Sequence, residues 1–248
     1  MTSPDALLEL FVDVGHAVRA VVGAIGVDDL RTRTDRDGQY ALDLAADAEA
    51  CRVLEHAGVR IVSEESGVHE RAGATITVVL DPVDGSTNCS RRLPYWATSI
   101  CAVDADGPLA GLVVNQATGV TVTAVRGAGA FRDGVRLQAS SARRVEDAMV
   151  YITGLPPQLL PWKQFRALGS AALGLCEIAV GSLDGLVDAY GMHAPWDYLA
   201  GYLACVEAGA VVRDASGREL VTDDVDARRQ LVAAGTPELA DALTASLS

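Results

Sequence analysis

Apolar residues Leu7, Phe11, Val14, Val18 and Val21 recur at helical spacing, which predicts an amphipathic helix ending near Gly23 to Gly26. The charged, glycine-containing stretch 28–38 reads as a loop. A second helix is expected over about 39–56, with Leu44, Asp47, Cys51 and Leu54 on one face. Asp47 then points inward, where an acid needs a partner, whereas Asp43 has less apolar helical neighbours. Short apolar runs at 61–63 and 76–80 read as strands. Further runs at 97–103, 109–114 and 120–125 are separated by Asp106-Gly107-Pro108 and Gln116-Ala117-Thr118-Gly119, the pattern of antiparallel strands joined by turns. Residues 127–134 continue that pattern as a hairpin.

From about Leu137 the pattern becomes mixed. It predicts a strand at 149–153, a helix over 170–180, a short strand at 186–189 and a helix opening at Asp197. Strands at 210–213 and 230–234 and a terminal helix follow. The alternation implies a layered α/β fold, with one domain over 1–248 made of two tightly joined halves, about 1–136 and about 137–248.

Half of the 248 residues are hydrophobic, enough for a large core. The balance of 20 basic to 33 acidic residues gives a formal charge of −13, which argues against nucleic acid and acidic membranes as partners. Five cysteines, at 51, 89, 101, 176 and 205, have no Cys-x-x-Cys spacing and read as packed or free thiols in a reducing cytoplasm. Cys89 is read as a small packed side chain rather than a redox group. No signal peptide and no membrane-spanning run are indicated, so the expected location is cytoplasmic.

The chemistry concentrates after the 76–80 strand, in Asp81-Pro82-Val83-Asp84-Gly85-Ser86-Thr87-Asn88. Two carboxylates leave a strand end together, Pro82 fixes the backbone between them, and Gly85 permits a tight turn. Ser86 or Thr87 can cap a helical turn whose free N–H groups face the same space. Clustered hard oxygens beside an anion-binding backbone suit a divalent metal and a phosphate ester. Ser63-Glu64-Glu65-Ser66 repeats the arrangement of strand and acids, and Trp196-Asp197-Tyr198-Leu199-Ala200-Gly201 places an acid at a helix start. Each segment also has an ordinary alternative: a turn, a solvated acidic pair, or a helix cap.

Together these three segments resemble the signature motifs of the inositol monophosphatase family of Mg²⁺-dependent, Li⁺-sensitive phosphatases. Arg166-Ala167-Leu168-Gly169-Ser170-Ala171-Ala172-Leu173 is similar to the family's helix start near the substrate. The resemblance implies a five-layer αβαβα sandwich, like that of inositol monophosphatase and fructose-1,6-bisphosphatase, with the active site between the halves. It implies that Glu64, Asp81 and the Val83 carbonyl hold one Mg²⁺ and that Asp81, Asp84 and Asp197 hold a second. A weaker third ion would use Glu64, and Mn²⁺ could substitute. A metal-activated water, oriented by Glu64 and Ser86, would attack phosphorus, with a further water near Asp84 and Asp197 protonating the leaving group. Asp47 matches an acid that engages metal-bound water in the family, although Leu44 stands where Thr is common; Arg36, where relatives carry a Lys, reads as a solvated charge.

Gly85, Ser86, Gly169, Ser170 and Ala171 would face the phosphate, together with Asp84 and Asp197. Inositol-specific members commonly carry a Glu seven residues before the last metal-binding Asp, and here that position is Tyr190. The expected substrate is therefore a small phosphate monoester, with inositol 1-phosphate as the family default and histidinol phosphate or another sugar or metabolite phosphate as alternatives. A non-catalytic metal-binding or regulatory role is the alternative from another class. His193 sits close to Asp197 and could line the pocket or lie in a loop. A homodimer is expected from the family.

Overall fold

The computed structural model describes residues 3–36 and 38–247. Helix α1 (Pro4–Ala24) buries Leu7, Phe11, Val14, Val18 and Val22, and Ser3 caps it by accepting from the Ala6 N–H. Helix α2 is Ala41–Leu54, and its buried stripe comprises Leu42, Asp43, Ala46, Asp47, Ala50, Cys51 and Leu54. Leu44 is 43% exposed, so the expected buried face is rotated by about one residue, and Asp43 joins Asp47 inside.

Eight strands form one sheet: β1 (Arg60–Ser63), β2 (Gly67–His69), β3 (Thr77–Asp84), β4 (Ala97–Asp104), β5 (Gly107–Asn115), β6 (Thr121–Val125), β7 (Gly129–Arg132) and β8 (Val135–Arg136). Their order is β2-β1-β3-β4-β5-β6-β7-β8, and only β1 and β3 run parallel. The short helix α3 (Ser86–Ser90) follows β3 directly.

A second sheet is built from β9 (Met149–Thr153), β10 (Gln164–Arg166), β11 (Gly185–Asp188), β12 (Val211–Asp214) and β13 (Leu231–Ala234), in the order β10-β9-β11-β13-β12. Helices α4 (Ala171–Val180) and α5 (Pro195–Glu207) lie between the sheets, and α6 (Pro237–Thr244) packs outside the smaller one. Helices α1 and α2 cover the outer face of the larger sheet, which completes five layers, αβαβα.

The composition of the middle layer follows from its position. A helix between two sheets is apolar all round, and α4 buries eight of its ten residues. Small residues let the elements approach: a Cβ on Gly201 would lie 2.6 Å from the Leu175 Cβ, and one on Gly111 would lie 3.3 Å from the Ala200 Cα. All five cysteines are free and buried, Cys89 included. Among the described residues no helix is long and apolar enough to cross a membrane.

Candidate active site

Strands β1 and β3 are parallel neighbours, with Ser63 opposite Leu80, so their C-terminal ends coincide. The Glu64 N–H donates to the Leu80 carbonyl at 3.1 Å, which sets Glu64 beside Asp81. Strand β3 carries a bulge between Asp81 and Asp84, whose partners on β4 are Ser99 and Ala97. Pro82, which has no N–H for a ladder, lies in the bulge, and its carbonyl accepts from Thr98 Oγ1 at 2.8 Å. The Val83 N–H donates to Asp81 Oδ1 at 2.9 Å and fixes that carboxylate.

The third acid comes from the middle layer. Asp197 lies in the first turn of α5, where its Oδ2 accepts from the Ala194 N–H at 2.7 Å. Ser99 Oγ donates to the Trp196 carbonyl at 3.1 Å and ties this helix start to the large sheet. One carboxylate oxygen from each of Glu64, Asp81 and Asp197 can be drawn from a group lying within 4.8 Å of one another.

Burial raises the Glu64 carboxyl well above its ordinary range, and the charges of Asp197 and Glu65 push it further. Burial and then Glu64, Asp84 and Asp197 do the same to Asp81. Asp197 is also raised, chiefly by burial. Three desolvated carboxylates, two of which, Glu64 and Asp81, are pushed up further by acidic neighbours, fit a hard divalent cation, which offsets the repulsion and favours all-oxygen donors.

Asp84 stands apart from this trio. Its oxygens accept from Ser170 Oγ at 2.6 Å, the Ala172 N–H at 2.8 Å and the Ala171 N–H at 3.3 Å, at the start of α4. Burial pushes its carboxyl up to about 6, against the lowering effect of these donors. A carboxylate has about four lone-pair sites, so capping α4 leaves Asp84 capacity for a further contact. Gly85 has φ +92° and precedes Ser86, the first residue of α3.

Asp84, Gly169, Ser170, Ala171, Tyr190 and Asp197 line one cleft of about 300 Å³, whereas Gly85 and Ser86, also expected to face the phosphate, are not among its lining residues. Tyr151, Thr153, Met192 and His193 complete it and, apart from His193, carried no sequence signal. Tyr190 is 69% exposed, and its ring packs within 2.9 Å of where a Gly154 Cβ would stand.

Asp47 accepts from Ser63 Oγ and lies 3.7 Å from Cys51 Sγ, beneath the strand that carries Glu64. Asp43 is the less satisfied helix acid: its Oδ2 accepts from the Tyr40 N–H, while Oδ1 is buried without a partner. Burial pushes Asp43 up to about 7. Arg36, read as a solvated charge, is exposed and also stands 3.7 Å from Glu65, which accepts from Gln39 Nε2.

Asp43 gives a stability prediction. Its folded pKa exceeds the unfolded one, so its contribution is present below about pH 4 and is lost as pH rises through about 7. In EDTA the unfolding free energy from urea titration is expected to fall between pH 5 and pH 8, and Asp43→Asn should reduce that fall by a few kcal/mol or less. An equally steep fall in the variant would show that the slope originates elsewhere.

Comparison with known proteins places this geometry in a class. The inositol monophosphatase family model matches residues 12–248, and the chain belongs to that family. It is 32% identical over 240 residues to the fructose-1,6-bisphosphatase/inositol-1-monophosphatase of Archaeoglobus fulgidus, covering 93% of each chain. It is 33% identical over 204 residues to the Nus factor SuhB of Escherichia coli K12, covering 75% of this chain and 73% of that one. A solved hypothetical protein of Pyrococcus horikoshii, with similarities to inositol-1 monophosphatase, shares the fold with TM-score 0.90 and 24% identity, over 99% of this chain and 100% of that one.

Proposed function

We propose that this protein is a Mg²⁺-dependent phosphatase of a small phosphate monoester, with inositol 1-phosphate as the default substrate. The observation that carries the reading is the convergence of Glu64, Asp81 and Asp197 beside a cleft lined by the start of α4. Glu64, Asp81, Asp84, Asp197 and the Val83 carbonyl would hold two or three Mg²⁺ ions, or Mn²⁺. When bound, the metal supplies Lewis acidity at phosphorus and a water nucleophile at neutral pH.

The chain's own groups do the remaining work. Glu64 and the Ser86 hydroxyl orient the attacking water, and Asp47 on α2, which accepts from Ser63 Oγ, supports that arrangement. The backbone at Gly85 and Ser86, with Gly169, Ser170 and Ala171, receives the phosphate oxygens. Asp84 and Asp197 flank the leaving alcohol, and Tyr190 offers it a neutral hydroxyl. We place the protein in the cytoplasm as a homodimer, lithium-sensitive and without nucleic-acid or membrane partners. Its first half, about 1–136, supplies most of the metal-binding acids, and its second, about 137–248, supplies Asp197 and the substrate wall.

The test is phosphate release from inositol 1-phosphate, histidinol phosphate, fructose 1,6-bisphosphate and adenosine 3′,5′-bisphosphate, with Mg²⁺ or with EDTA. Turnover that requires Mg²⁺ and favours a monophosphate is expected. The absence of a Glu at Tyr190 and the Nus factor name of one relative favour a second reading, a regulatory homologue. A melting temperature raised by Mg²⁺ without release from any ester would select it.

A further inference from the structure

His193 is fixed more firmly than a loop residue at a cleft wall requires. Its backbone pairs with Arg229 in both directions, the His193 N–H donating to the Arg229 carbonyl at 3.2 Å and the Arg229 N–H to the His193 carbonyl at 2.8 Å. Its ring Nδ1 lies 2.9 Å from Asp188 Oδ2. Asp188 is fully buried and also accepts from the Tyr190 N–H at 2.9 Å and the Gly191 N–H at 3.1 Å. An acceptor so placed holds the proton on Nδ1 and leaves Nε2 as the free ring nitrogen. Among the described residues Nε2 has no hydrogen-bond partner, and the ring lines the cleft beside Asp197.

A second polar group in the same wall is also unpartnered. Thr153 Oγ1 is buried without a hydrogen bond, on the strand residue paired with Asp188. A buried polar group left unpaired costs free energy, and a hydroxyl entering the cleft at His193 Nε2 would give this wall a partner that it lacks.

Resting on the phosphatase reading, we infer that His193 is a specificity-determining residue that recognises the alcohol half of the ester through Nε2. Thr153 Oγ1 assists, and Asp188 acts as the positioning residue. The chemical class selected is a phosphate monoester whose alcohol carries at least one further hydroxyl. This assigns polyol recognition to His193 on the wall that includes Tyr190, in a chain where Tyr190 stands at the position of the usual Glu.

The experiment compares kcat and KM for inositol 1-phosphate and for p-nitrophenyl phosphate, an ester with no further hydroxyl, in the full chain with Mg²⁺. His193→Ala is expected to raise KM for inositol 1-phosphate about tenfold or more, and by at least about fivefold more than for p-nitrophenyl phosphate. His193→Gln, whose amide oxygen can accept where Nε2 does, should restore part of the difference. Asp188→Asn should show the same substrate-selective KM rise in smaller measure. Equal losses on both esters, or a loss in kcat alone, would overturn the inference while leaving the phosphatase intact. No Mg²⁺-dependent turnover of either ester by the unaltered protein would overturn the phosphatase reading and this inference with it.

Discussion

Asp81→Asn is expected to melt at a higher temperature than the unaltered protein in EDTA, to lose the stabilisation that Mg²⁺ gives, and to lose more than about 100-fold in turnover. That loss exceeds the range for partners merely outside a metal site. The side chain is 2% exposed, and burial together with Glu64, Asp84 and Asp197 raises its carboxyl. Without a cation the ionised cluster opposes folding, so an isosteric neutral group relieves it. The amide oxygen can still accept from the Val83 N–H, which preserves the bulge. Each kcal/mol relieved moves the midpoint by about 2–4 °C in a chain of this size.

The same carboxyls fix the direction of the pH effect. A raised folded pKa means that the native state binds the extra proton, so stability falls as pH rises from about 4 through the folded value, about 6 for Asp84. Calorimetry in EDTA should therefore show a lower midpoint at pH 8 than at pH 5, with a smaller gap in Asp81→Asn. With Mg²⁺ at a hundred times its Kd the unaltered protein should gain about 2.7 kcal/mol. A variant that is less stable in EDTA and still responds to Mg²⁺ would remove Asp81 from the metal centre.

Much of this site was legible because its acids sit at element ends that hydrophobic pattern marks well. Runs at 61–63 and 76–80 end beside Glu64 and Asp81, and the helix opening at Asp197 shows in its apolar spacing. What the sequence concealed depends on contacts between elements. Strands β2 and β10 have three residues each, too few to show alternation, and each pairs along one edge only. The preference for Asp47 over Asp43 came from a helical face drawn through Leu44, which the sheet packing leaves at its rim. Asp84 looked like one more acid of the cluster, and only the approach of α4 from the other half shows that its oxygens also cap that helix. The Asp188 and His193 pair is separated by a turn whose N–H groups the carboxylate accepts, a pattern indistinguishable in sequence from an ordinary loop.

Gly85→Ala should produce the second large effect, because at Gly85 the turn after β3 meets the backbone before α4 beside the acids. Its φ of +92° is costly for any residue with a Cβ, and an added Cβ would stand 2.8 Å from the Gly169 carbonyl oxygen and 3.2 Å from that of Tyr95. Neither obstacle is a flexible side-chain end, so backbone must move. The same seam is held by Asn88 Nδ2, which donates to the Tyr95 and Leu168 carbonyls at 2.7 Å each, and by Asp84 on the start of α4. Displacing Gly169 pulls Ser170 from Asp84 and widens the cleft beside the start of α4. The expected cost is about 2–4 kcal/mol of stability, with a fall in kcat greater than the rise in KM. Gly217→Ala separates strain from packing, since Gly217 has φ +73° with nothing within 4 Å of the added carbon. Its loss should be about 1–2 kcal/mol with little change in turnover. If the two variants match in melting temperature and in kcat, the approach of Gly85 to Gly169 does not govern the site.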